Sequence, residues 1–120
     1  MDAKTPAELA DAAAEAVRSA NHATLTGPAL GWEFPSDAYD VIGHLLALVQ
    51  RLPQLLQQTG AHVQRLADTG HVRSDYGGNG VAEVVAVLDA LGRASADAAA
   101  MAAALDTAHG ALSPLAYDES

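Results

Sequence analysis

From Ala38 to Leu66, apolar side chains recur at alternating steps of four and three: Ala38, Ile42, Leu45, Val49, Leu52, Leu56, Val63 and Leu66, with Thr59 filling the remaining position. Val41, Leu48 and Leu55 widen the stripe, while Asp40, His44, Arg51, Gln54, Gln58, Arg65 and Asp68 lie off it. This is the spacing of an amphipathic helix of about nine turns. Pro53 lies inside the run, and an interior proline removes a backbone bond and crowds the preceding turn. The phase nevertheless continues unchanged from Leu52 to Leu56 and Val63. The pattern therefore predicts one helix over 37–69, kinked near Pro53, rather than two helices joined at Leu52. Ser36 is its expected cap, with Asp37 and Asp40 favourable in the first turn.

A second apolar face runs through Val84, Leu88, Leu91, Ala94, Ala98, Met101, Leu105, Ala108 and Leu112, which predicts a helix over 80–112 capped by Asn79. Its middle, ASADAAAMAAAL, holds almost no large side chain, so a neighbouring backbone can approach closely there. The chain opens with a shorter helix over 6–23. Thr5, Pro6 and Glu8 form the signature of a capping box with proline at the first helical position. Its inner stripe of Leu9, Ala13, Ala16, Val17 and Ala20 is mostly alanine, so it buries little and needs neighbours. Residues 25–36, LTGPALGWEFPS, read as an ordered connector, and GHVRSDYGGNG from Gly70 to Gly80 as a helix-to-helix loop.

A short loop between long helices makes them antiparallel. The expectation is a single all-α domain over 1–120: a helical bundle of three helices, two long and antiparallel, the first short. Each long helix spans roughly 45–50 Å, and the first covers only about half of that. The apolar face toward the Gly70–Gly80 loop is then left without a third layer. Leu56, Val63, Leu66, Val84 and Leu88, with Val81 and Val85 beside them, are the expected oligomer interface, because apolar surface on this scale finds a partner.

Composition narrows the classes. Half of the 120 residues are hydrophobic but only 4% are aromatic, so the core must come from Leu, Val and close Ala packing. Six basic against fifteen acidic residues give a net charge of −9, with no basic stripe to neutralise phosphates or anionic lipid. Neither nucleic acid nor a membrane is expected as a partner. The chain has no cysteine, which removes disulfides, thiolate chemistry and cysteine-based zinc sites. The start, MDAKTPAELADAAAEA, has no basic region followed by an apolar one, and no apolar run approaches the ~20 residues of a membrane span. The expected compartment is the cytoplasm, with export through a signal-less system left open.

Little chemistry is legible. There is no G-x-S-x-G, and DYGGNG lacks both the G-K-[ST] ending of a phosphate loop and the carboxylates of a calcium loop. One constellation has metal-ligand character. With the long helices antiparallel, residues whose numbers sum to about 149 lie level, which sets Asp40 and His44 against Asp106 and His109. Paired carboxylate and imidazole on facing helices is how bundle metal sites are made. The plainer reading is four solvated polar residues near helix ends. The segment GWEFPSDAYD holds Trp32, Phe34 and Tyr39, three of the five aromatics. They are expected to staple the start of the second helix and to serve as partner contacts, since aromatics anchor interfaces.

Two long antiparallel helices in an Ala-rich, acidic chain without a signal peptide resemble the WXG100 class of small secreted actinobacterial proteins. Here Trp32-Glu33-Phe34 lacks the Gly of the W-x-G turn and precedes the long hairpin instead of sitting at its turn, and the tail carries Tyr117 but ends at Ser120, short of a Y-x-x-x-[DE] pattern. The stretch EFPSDAYDVIGHLLALVQRLPQLLQQ, followed by GGNG, is similar to uncharacterised small helical proteins of high-GC actinobacteria. The first resemblance implies a secreted helical hairpin acting as a heterodimer; the second implies a source. From its own residues the chain reads as a non-enzymatic helical interaction protein that self-associates as a homodimer and needs no cofactor. A metal-binding helical bundle is the other alternative.

Overall fold

The structure, a computed structural model, describes residues 3–120. It consists of three helices, α1 (Pro6–Ala23), α2 (Pro35–Asp68) and α3 (Val81–Leu112). Helix α1 starts as its sequence dictates. The Thr5 hydroxyl accepts from the Glu8 amide at 3.1 Å, and the Thr5 amide donates to the Glu8 carboxylate at 3.0 Å. Two amides that helix geometry leaves without partners are thereby satisfied.

Helix α2 runs unbroken through Pro53. Its far end closes on Gly70, whose φ of +75° only glycine adopts without strain. The Gly70 amide donates to Ala67 at 3.1 Å and the His71 amide to Leu66 at 2.8 Å, the bond pair of a Schellman stop. The chain then reverses through a glycine-rich loop. Gly80 caps α3 with a φ of +79°, and a Cβ there would stand 3.0 Å from Val72. That position admits glycine alone, so Asn79, the expected cap, sits one residue earlier and accepts from the Val81 amide at 3.2 Å.

Helices α2 and α3 are antiparallel. Tyr39 and Gly43 lie beside His109, whereas Gly60 lies beside Leu88 and Leu91. Gly60 is buried, and its missing side chain lets the Leu88 methyl come within 3.2 Å of where a Cβ would be. The close approach expected at the alanine run of α3 is thus aided from the α2 side as well.

The core is thin. Among the described residues the buried apolar side chains are Val49, Val84 and Ala98, at 4%, 7% and 8% exposure, and no side chain is wholly enclosed. Helix α1 adds nothing to it: every residue of α1 is exposed, and among the described residues it lies against neither α2 nor α3. Leu9 and Val17 are its only large apolar side chains. Burying them would return roughly 1.5–3 kcal/mol each, while fixing a connector costs about 1–2 kcal/mol per residue. The alanine stripe is too weak to decide that balance.

The outcome is an extended molecule of 68 × 33 × 28 Å with a radius of gyration of 19.6 Å. A compact chain of this length would have a radius of about 13.6 Å. Its accessible surface is 9124 Å², against roughly 6,100 Å² for a folded monomer of this mass.

Candidate interaction surfaces

Two regions stand out, one at each end of the hairpin. The open end is built on the connector and the start of α2. Ala29 and Trp32 exchange backbone hydrogen bonds at 2.9 and 3.3 Å, closing a turn with Leu30 at its tip. Three residues later Pro35 begins α2, so Phe34 rather than Ser36 is the cap. Proline suits the first helical position because it has no amide to satisfy, and Phe34 carries no acceptor of its own. Asp37 supplies one from the third helical position. Its carboxylate accepts from the amides of Glu33 and Phe34, both at 2.9 Å. The Phe34 amide, and then the Glu33 amide, hold that carboxyl below its ordinary range.

The aromatics of this end are spoken for in part. The Phe34 ring meets Tyr117 of the C-terminal tail edge to face, with centroids 5.1 Å apart. Tyr39 stacks on the His109 imidazole at 3.9 Å and 17°. Trp32 is half-buried. All three expected aromatic contacts therefore gather at the open end, and two of them tie α2 to the last turn of α3 and the segment after it.

The metal quartet does not assemble. Asp40, His44 and Asp106 are exposed, while His109 is half-buried in its stack with Tyr39. Among the described residues no three His, Asp or Glu side chains are close enough to share an ion. The reason lies at Gly43: a Cβ there would come within 2.9 Å of His109 Nε2. The bare backbone admits the imidazole to the seam, and a ring committed to the seam is lost to a carboxylate cluster at its flank.

The loop end carries the apolar surface. A groove between the long helices is lined by Leu56, Gly60, Ala61, Leu88, Leu91 and Gly92, with Gln57, Gln64 and Ser95 on its walls. It continues past Leu88 toward Ala67, Val72, Val81 and Val85. Of the expected interface residues, Leu56, Val63, Leu66 and Leu88 are half-buried. Val84 is a correction: it is buried inside the hairpin, and its neighbours Val81 and Val85 are the exposed ones. The spacing sets Val84 on the inner face of α3 as well as in the expected interface, and it is the inner face that Val84 occupies. The Ser95 hydroxyl, at the groove, is buried with no hydrogen-bond partner. Met101 corrects in the opposite sense, being exposed where the spacing had set it on the inner face. Val41, Leu55 and Val87 are further exposed apolar side chains; only Leu55 and Val41 had a signal, as the widening of the α2 stripe.

Among the described residues no helix is long and apolar enough to cross a membrane. No protein-family model, no curated protein and no solved structure matches the chain.

Proposed function

We propose that the chain is a non-enzymatic helical interaction protein that self-associates through the loop half of its hairpin. The observation that carries this is the excess of surface. At 9124 Å² the chain exposes about 3,000 Å² more than a compact monomer of its mass. Two chains together carry about 6,000 Å² of such excess, and an obligate dimer interface of roughly 2,000–5,000 Å² in total would cover a large part of it. The groove from Leu56 to Val85 is apolar along its floor, and α1 covers no part of it. A non-enzymatic reading is favoured by the titratable groups of the open end, since Asp37 is engaged in capping and His109 in stacking. The cytoplasm is the compartment this reading expects.

Light scattering tests it. At micromolar concentration the mass is expected to be twice the 12.2 kDa of one chain. Val85→Asp, on an exposed position of α3, is expected to give the single-chain mass with helicity retained. A wild-type chain that stays at the mass of one copy overturns the proposal.

A further inference from the structure

We propose that the open end of the hairpin is a docking site for a basic, apolar peptide segment of another protein. Leu30 is 104% exposed at the tip of the Ala29–Trp32 turn, and Phe34 and Tyr117 are 46% and 53% exposed beside their mutual contact. A cleft between the turn and the start of α2 is lined by Pro28, Ala29, Leu30, Glu33, Phe34 and Asp37. Its shape is held by the two backbone bonds of the turn and by the Asp37 carboxylate under Glu33 and Phe34. An apolar side chain therefore meets a preformed surface and does not have to order it.

Charge selects the occupant. No lysine or arginine lies between Arg18 and Arg51, and none follows Arg93. The open end carries Glu33, Asp37, Asp40, Asp106, Asp118 and Glu119, and those two stretches hold no lysine or arginine to offset them. The loop half is balanced instead, with Arg73 paired to Asp75 at 3.3 Å and Arg93 to Asp89 at 3.4 Å. Apolar anchors inside a one-signed field suit a segment that combines Leu-like side chains with Lys or Arg, because complementary potential steers the encounter and rejects like-charged partners. Two open ends repel one another, so a second copy is not the occupant. The site is at the opposite end from the proposed self-association surface, so either reading can fail alone.

Trp32 is the only tryptophan and lines the flank of Phe34 with Glu33 and Ala38, which makes it the reporter. The experiment titrates the whole chain with a tryptophan-free Leu/Lys amphipathic peptide, a matched Leu/Glu peptide and oligolysine, following Trp32 fluorescence. A saturable change with the Leu/Lys peptide alone, weakened by salt, is expected. Leu30→Ser and Glu33→Lys, both on exposed positions, are each expected to weaken it by about tenfold with unchanged circular dichroism. Four results overturn the proposal: no saturable change with the Leu/Lys peptide, an equal response to oligolysine, no effect of either variant, or loss of the dimer mass in Leu30→Ser, which would give the patch to a second copy.

Discussion

At Asp37 one carboxylate accepts two backbone amides at 2.9 Å and so starts a helix whose cap residue has no acceptor. Both bonds favour the charged form, so the folded-state pKa lies below the ordinary 3.8. The sign follows from linkage: the contribution is complete above the ordinary value and is lost as pH falls through the depressed one. The Glu33 and Phe34 amide resonances are therefore expected to shift together below that range, and Asp37→Ala is expected to show the shifted positions at neutral pH. The same variant should loosen the Phe34–Tyr117 contact, read as loss of near-ultraviolet dichroism. At the same end of the seam the Tyr39–His109 stack depends on an absent side chain. In Gly43→Ala the new methyl would fall 2.9 Å from His109 Nε2. Overpacking of that kind costs about 1–3 kcal/mol, against a helix-propensity gain of about 1 kcal/mol. The expected net is a loss of about 1 kcal/mol in chemical denaturation. At Gly92 a Cβ meets nothing within 4 Å, so Gly92→Ala keeps the propensity gain of about 0.8–1 kcal/mol and should be more stable than wild type.

Among the elements, α2 tolerates a proline that composition alone would have used to divide it. Pro53 has no amide to donate to the Val49 carbonyl four residues back, yet Val49 is buried, at 4% exposure. Apolar contact on both sides of the proline holds the two halves in one helix. Pro53→Ala restores the missing bond and relieves the ring clash, so it is expected to keep the helix and add about 1–3 kcal/mol in denaturant titration. A loss of stability would mean that a proline-shaped bend is what fits α2 to α3. Helix α1 presents the contrary case. Its capping box forms as its residues specify, but a well-started helix is not a packed one. Helices of this length are marginal without tertiary support, and every residue of α1 is exposed.

The whole molecule is governed by how little a two-helix seam can enclose. Three buried apolar side chains among the described residues make a core far smaller than a chain of 120 residues normally builds. If two copies complete one another, folding and association share a single equilibrium. The melting temperature is then expected to rise with protein concentration, measured from low micromolar upward, and the dependence should vanish in Val85→Asp. A melting temperature independent of concentration would count against self-association.

The residues alone determined the local architecture. Long-range periodicity placed three helices, because burying one face of a helix imposes a repeat that single-residue exceptions such as Pro53 cannot erase. The Thr5–Glu8 box was legible because its partners are three residues apart. The antiparallel register was legible too, since a short loop leaves one way to fold back. Everything that depends on which side a residue faces had to come from the tertiary structure. Helix α3 is apolar almost all round: its spacing set Val84 on the inner face, where it is buried, but set Met101 there too, which is exposed beside half-buried Ala102. The contact between His109 and Gly43, which dissolved the carboxylate–imidazole cluster, joins residues distant in sequence through a side chain that is not there. The separation of α1 from the hairpin was likewise settled only in three dimensions, where the small gain of an alanine stripe is set against the entropy of its connector.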